Sequence, residues 1–447
     1  MTDTMTEAGP RGGGPSGRPS WDSCLPPPTW TGAFEIDLEA AAAWLADEAR
    51  GPERGPHEAG LRVRREFLTR HADALHALLT DDGAAELRLD ELSEAAALLV
   101  PGLVPSGAEL AAERGLGQST KSGREVWQGV FFWALLHAPQ AGPRVVHAMT
   151  LPTLRARQLL PDLLATDRLD LGEVLVERDG RVGRVTLNNP RFLNAEDDAV
   201  VEALETAVDL VLLDDRIGVG VLRGGTVDHP RHQGRRIFSA GINLTDLYEG
   251  LISFTGFMLR RELGYLNKVY RGLGVPAVPG VDGVDGADGQ EKPWIGVVDG
   301  FAIGGGAQIL LTLDYVLADQ DAYFSLPALR EGIIPGAANL RLHRHLGPRT
   351  ARQMIFADRQ VVATEPLASL LCDEAVPAAE LDDALARVAA MLDNPAVVPN
   401  RRVLRRAEEP VELFRTYLAE YSLEQVRRMY STDLVANLER GWINRRR

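Results

Sequence analysis

Cysteine is nearly absent: the chain of 447 residues has only Cys24 and Cys372, far apart in sequence. That argues against a disulfide framework, leaves no cysteine cluster for zinc or an iron–sulfur centre, and fits a reducing, cytoplasmic setting. Long apolar runs are missing too. No stretch of 18 apolar residues exists, so no membrane-spanning helix is expected. The opening segment "MTDTMTEAGPRGGGPSGRPS" lacks the apolar core of a secretory signal. Positive charge is in deficit. With 48 Lys+Arg against 63 Asp+Glu the formal net charge is -15, which disfavours nucleic acid as a partner. No dinucleotide fingerprint appears, and the glycines at 304–306 are not followed by the Lys-Ser/Thr pair of a phosphate-binding P-loop.

What remains has an ordinary soluble composition, 45% apolar and 25% charged. Residues 1–30 are rich in Gly, Pro and Ser and read as a disordered tail. Over 31–170, "FEIDLEAAAAWLADEAR", "EFLTRHADALHALLT" and "REVWQGVFFWALLHA" carry apolar residues at three-to-four spacing. That spacing predicts an all-helical N-terminal domain with its own core. The period changes near residue 171. "GEVLVERDGRVGRVTLNNP" predicts two strands around a turn at Asp179-Gly180. A helix over 195–214, the strand "GVGVLRG" and further helices to Tyr270 are expected to follow. "GVPAVPGVDGVDGADGQEKP" is too rich in Gly, Pro and Asp for regular structure and is expected to be a surface loop. "WIGVVDG" predicts a buried strand and "DYVLADQDAYFSLP" a strand pair. Alternating strands and helices make 171–365 an α/β core, with 366–447 a helical C-terminal region.

Two short stretches carry chemistry. Gly300, Gly304, Gly305 and Gly306 lie between a strand and an apolar helix in "VVDGFAIGGGAQILLTLD". Glycines at a helix start let a polarised oxygen reach the unpaired N–H groups of the first turn, where the helix dipole favours negative charge. Tight helix–strand packing would use the same glycines. The second stretch, "RRIFSAGINLTDL", puts the small-residue turn Ser239-Ala240-Gly241-Ile242 ahead of another helix. Two such turns aimed at one oxygen make an oxyanion hole.

These stretches resemble the enoyl-CoA hydratase/isomerase, or crotonase, superfamily. "NNPRFLNAEDD", "FSAGINL" and "VVDGFAIGGGAQILLTLDYVLADQDAYFSLPALREGIIPGAAN" carry the resemblance, which extends over residues 172–400. It implies an α/β crotonase fold of repeated ββα units, here with added helical N- and C-terminal regions. It also implies an acyl-CoA thioester substrate and homotrimers, often paired into homohexamers. The N–H groups of Ile242 and Gly305 would hold the thioester oxygen, with Ala240, Gly241, Asn243, Gly304 and Gly306 around it as further substrate- or CoA-binding residues. The departures are as informative. Hydratases of the family carry one glutamate after the glycines and one after the later proline; this chain has Gln308 and Ala328 there. Neither side chain can carry the proton traffic of hydration.

The combination is most similar to one branch of the superfamily, the dioxygenases of glycopeptide antibiotic biosynthesis that act on 3,5-dihydroxyphenylacetyl-CoA. That similarity implies O2 as co-substrate, no metal or organic cofactor, and an enolate as the reacting species. It assigns Gln308 to holding the aryl group and its oxygenated intermediate, and Glu196 to a substrate hydroxyl. Arg261 would orient substrate or peroxide, and Ile333 and Ile334 would line an apolar pocket for O2. Glu196 also reads as a favourable acid at a helix N-terminus, and Arg260 is the alternative in register to Arg261. Arg191, His229 and Arg231 are candidates for the CoA phosphates, against the default of ordinary surface residues. "HAD" at 71–73 imitates part of a two-His-one-carboxylate iron site. It belongs to an amphipathic helix far from these motifs, so no metal is expected. Three rival readings are open: a thioesterase or decarboxylase using the same oxyanion hole, a non-catalytic CoA-binding subunit, and a metal-dependent oxygenase.

Overall fold

The structure, a computed structural model, describes residues 26–49, 55–275 and 290–441. The expected disordered tail and the expected loop after Val275 fall, apart from their inner ends, outside the described residues, as does Cys24. Cys372 is a buried free thiol.

Seven helices come first: α1 (Phe34–Glu48), α2 (Glu58–Leu79), α3 (Leu89–Leu99), α4 (Gly107–Arg114), α5 (Glu125–His137), α6 (Ala141–Thr150) and α7 (Leu154–Thr166). α5 is apolar on every side and buried along nearly its whole length. It packs on α2 and on a late helix, Val411–Met429. As a result, buried apolar side chains from Ala41 to Leu438 form one continuous cluster, where a separate core was expected for the early helices.

Ten strands follow: β1 (Arg168–Asp170), β2 (Val174–Asp179), β3 (Val182–Leu187), β4 (Val219–Gly224), β5 (Trp294–Val298), β6 (Phe301–Ile303), β7 (Tyr315–Asp319), β8 (Tyr323–Ser325), β9 (Val361–Val362) and β10 (Glu374–Val376). They form a seven-stranded sheet in the order β1-β2-β3-β4-β5-β7-β10 and a three-stranded sheet β6-β8-β9. β1 to β3 pair antiparallel, and the remaining neighbours of the large sheet run parallel. The hairpin turn lies where expected, with Asp179 paired to Val182. β5 is buried at every residue, as a central parallel strand covered on both faces requires.

Helices α8 (Asp198–Leu213), α9 (Leu244–Tyr248), α10 (Asn267–Arg271), α11 (Gly305–Leu310), α12 (Ala328–Glu331), α13 (Ala338–Ala357), α14 (Leu381–Leu392), α15 (Val397–Glu408), α16 (Val411–Met429) and α17 (Thr432–Gly441) complete the chain. Two π-helical segments, Phe254–Leu259 and Glu262–Leu266, precede α10. The stretch expected as a strand pair gives β7 and β8, but these do not pair with each other. β7 joins β5 and β10 in the large sheet, while β8 joins β6 and β9 in the small one. β5 and β6 divide in the same way. Twice, then, the chain leaves the large sheet, enters the small one and starts a helix: β5-β6-α11 and β7-β8-α12. These are two ββα units, as the resemblance implies. Segment 239–242 lies between them and α8, with Ser239 bridged to Ala302 and Ile242 to Glu196. No helix among the described residues is long and apolar enough to cross a membrane.

Candidate active site

The two small-residue turns abut. Gly241 has φ +84°, and a Cβ there would stand 2.7 Å from the Gly305 nitrogen, so only glycine lets the backbones meet. Gly305 opens α11, where the first-turn N–H groups have no partner within the helix. Neither the Ile242 N–H nor the Gly305 N–H donates to another described group. Both residues, with Gly304, line an inner cavity of about 30 Å³, room enough for a water or an O2 molecule. Its apolar wall is Phe257, Met258, Leu326, Ile333, Ile334 and Tyr421.

The polar wall is built around Arg261, at the junction of the two π-helical segments. Its Nε and Nη2 donate to Glu196 at 3.0–3.1 Å, its Nη1 to Glu262 at 2.9 Å, and its Nη2 to the Gly305 carbonyl at 2.8 Å. Nη1 also donates to Gln308 Oε1 at 3.0 Å. Burial works against the charge, but Glu196, Tyr265 and Glu262 outweigh it and hold the guanidinium's pKa well above its ordinary value. Arg260 points elsewhere, to Glu205 at 2.7 Å, so the residue in the cavity wall is Arg261.

Glu196 is wholly buried, and Arg261 and the Tyr265 hydroxyl engage both of its oxygens. Burial raises the Tyr265 phenol well above its ordinary value, so it stays a donor. Glu196 thus holds Arg261 in place, and it lines the inner cavity as well. It does not cap α8, because Asp197 does so by accepting from the Val200 N–H at 3.0 Å. The approach of this ion pair also explains Gly305. A Cβ there would stand 2.5 Å from Glu196 Oε2 and 3.2 Å from Arg261 Nη2.

A second, outer cavity of about 150 Å³ adjoins the first, with Ile242 and Glu331 common to both walls. Arg191, His229, Ala240 and Asn243 line it, as does Arg330. Three of the expected binding residues have other surroundings besides. Arg231 is exposed and lines neither cavity; its N–H donates to His229 Nδ1 at 3.3 Å. The Asn243 amide is spent capping α9, accepting from Thr245 and Asp246 N–H groups at 3.2 and 3.3 Å. Gly306 serves packing, since a Cβ there would meet the Ser239 carbonyl at 2.7 Å.

Glu262, Tyr265, Glu331 and Tyr421 were not foreseen. Tyr265 lies four residues after Arg261, and Glu331 three after Ala328, spacings that share a helical face and so were readable. Tyr421, from distant α16, left no local signal. The "HAD" triplet is dispersed: His71 Nε2 meets Asp37 at 2.7 Å, while Asp73 accepts from the N–H groups of Gln140 and Ala141. Among the described residues no group of three His, Cys, Asp or Glu is placed to hold a metal.

Two unengaged N–H groups beside an apolar cavity can stabilise a thioester enolate. The chain belongs to the enoyl-CoA hydratase/isomerase family, whose model matches residues 177–403. A (3,5-dihydroxyphenyl)acetyl-CoA 1,2-dioxygenase from Amycolatopsis orientalis is 49% identical over 84% of this chain and 85% of its own length. A short-chain-enoyl-CoA hydratase from Clostridium acetobutylicum is 30% identical over 48% of this chain and 72% of its own. Among solved structures, an enoyl-CoA hydratase from Mycobacterium avium subsp. paratuberculosis K-10 is 22% identical, covers 61% of this chain and 99% of its own, and has a TM-score of 0.49.

Proposed function

We propose that the chain is a dioxygenase converting 3,5-dihydroxyphenylacetyl-CoA and O2 to 3,5-dihydroxyphenylglyoxylate and CoA, with no metal or organic cofactor. What carries this reading is the breadth of one similarity. The Amycolatopsis orientalis dioxygenase aligns over 376 residues, which takes in much of the helical N-terminal region, whereas the hydratase aligns over 215. The cavity agrees with it, because Gln308 and Ala328 both line it at the positions where hydratases carry glutamates.

In this reading the Ile242 and Gly305 N–H groups bind the thioester oxygen and stabilise the enolate, each contributing about 3 kcal/mol. The electron-rich enolate passes one electron to O2, and the two radicals combine at the α-carbon. The peroxide attacks the thioester carbon and expels CoA. Cleavage of the O–O bond with loss of the second α-proton gives the α-keto acid. One O2 atom becomes the ketone and the other enters the carboxylate. Ile333 and Ile334 border the O2 pocket. Arg261 orients the peroxide, held by Glu196 and Tyr265, and Gln308 turns its NH2 toward the aryl group. The ring is larger than the inner cavity, so it enters by displacing wall side chains, Met258 being the most adaptable. Arg191 and His229 face the CoA phosphates.

Residues 31–170 form a helical N-terminal domain, 171–365 the catalytic core and 366–447 a helical C-terminal region. The enzyme works in the cytoplasm as a homotrimer or homohexamer. The test is oxygen uptake by chelator-treated protein across a panel of arylacetyl-CoA esters. Uptake matched by CoA release supports the reading. CoA release that needs no O2 marks a thioesterase, and loss of activity to chelator marks a metal-dependent oxygenase.

A further inference from the structure

Ile242 and Glu331 stand at the neck between the two cavities, the two residues their walls share. A thioester with its CoA arm outside and its acyl end inside carries its carbonyl and α-carbon through this neck. There it passes Ile242 and Glu331, which line both cavities. The carboxylate is close to the glycine turn as well: Glu331 Oε2 lies 3.8 Å from where a Cβ on Gly304 would be.

The other carboxylates of the inner cavity are occupied. Glu196 is held by Arg261 and Tyr265, and Glu262 by Arg261 and by the Ala337 N–H at 3.0 Å. Among the described residues, no hydrogen bond or ion pair engages the Glu331 carboxylate. Arg330, next in sequence, is drawn away to Asp358 at 2.5 Å. Ala328 and Glu331 sit three apart in the single turn of α12, and both line the inner cavity. A carboxylate absent at 328 is thus present one turn later.

We propose that Glu331 is the catalytic base that removes the α-proton of the acyl-CoA substrate. This rests on the enolate chemistry proposed above. The Cα–H bond breaks, its electron pair passes to the thioester oxygen between the Ile242 and Gly305 N–H groups, and the proton goes to Glu331. After O2 has taken up the enolate's electrons, the resulting peroxide attacks the thioester carbon. The C–S bond breaks, and Glu331 returns its proton to the departing CoA sulfur. Burial pushes the Glu331 carboxyl up to about 7, with Asp358 adding to the rise and Arg330 opposing it. A base is most effective with a pKa near the working pH. The other charges nearby are paired: Asp358 with Arg330, Asp433 at the start of α17 with Arg428, and Glu196 and Glu262 with Arg261. Arg191 and His229 line the outer cavity with it.

The test is solvent-deuterium exchange at the α-carbon of 3,5-dihydroxyphenylacetyl-CoA without O2, using the full chain and Glu331→Gln. Exchange by the variant is expected to be slower by about a hundredfold or more, with thioester affinity changed less than about threefold. The parent rate should rise with pH through about 7, because only the deprotonated carboxylate accepts a proton. That limb should vanish in Glu331→Gln, and Glu331→Asp should recover part of the rate. Exchange by Glu331→Gln at the parent rate, or loss of thioester binding in both variants, overturns the assignment. Normal oxygen uptake by Glu331→Gln overturns the base and leaves the dioxygenase standing. A parent that exchanges with a Glu331-dependent rate but never consumes O2 supports the base and overturns the dioxygenase.

Discussion

Arg261 Nη1 donates to Gln308 Oε1 across 3.0 Å. That bond sets the amide: its carbonyl faces the guanidinium and its NH2 is left for the cavity. Arg261 is shared between two carboxylates, Glu196 and Glu262. Gln308→Glu adds another beside the forming enolate. If it raises the enolate by about 1.4 kcal/mol, turnover falls about tenfold. Oxygen uptake should drop by that factor or more, while part of the CoA released becomes independent of O2. An oxygen electrode paired with a thiol assay measures both; unchanged uptake contradicts the role given to Gln308.

Ile242→Pro removes one oxyanion donor without touching the apolar wall opposite. Loss of one such donor costs about a hundredfold or more in turnover. The Glu331-dependent deuterium exchange should fall in parallel, since both depend on the enolate. A melt matching the parent's establishes that the turn still folds. A folded variant with parental turnover sinks the oxyanion assignment.

Glu205 ties the early helices to the core. It is fully buried and pairs with Arg88, just before α3, and with Arg260 and Lys268. Burial pushes its pKa up, but Lys268, Arg88 and Arg260 prevail and hold it below the ordinary carboxylate range. Glu205→Gln strands buried cations and should cost about 3 kcal/mol at neutral pH by urea denaturation. The sign is that of a depressed carboxylate: the contribution is complete above the unfolded-state pKa and is lost as pH falls through the lower folded-state one. The gap between parent and variant should therefore close only in strong acid. A gap independent of pH contradicts the ion-pair origin.

Much of this was legible, for identifiable reasons. The β2-β3 hairpin announced itself through Asp179-Gly180, and α8 and β5 through apolar periods that burial then uses. The abutting turns at Gly241 and Gly305 were readable because close backbone approach leaves glycine as a mark. The division of β7 from β8 was not, because two strands that follow one another look the same whether they pair together or with strands elsewhere. The π-helical turns were hidden as well, since an apolar run does not distinguish a wide turn from an ordinary one. The Arg261–Glu196–Tyr265 cluster spans 69 residues of sequence, and such partners are chosen by the fold rather than by local pattern. Asn243 has two readings at once: it lines the outer cavity beside the oxyanion turn, and its amide oxygen caps α9.

Isotope labelling tests the central claim most directly. Chelator-treated protein is given 3,5-dihydroxyphenylacetyl-CoA and ¹⁸O2 in ordinary water, and the arylglyoxylate is analysed by mass spectrometry before its ketone exchanges with solvent. The account predicts two heavy atoms in each product molecule, one in the ketone and one in the carboxylate, with one CoA freed for each O2 consumed. A carboxylate labelled from water, or product formed without O2, would contradict it.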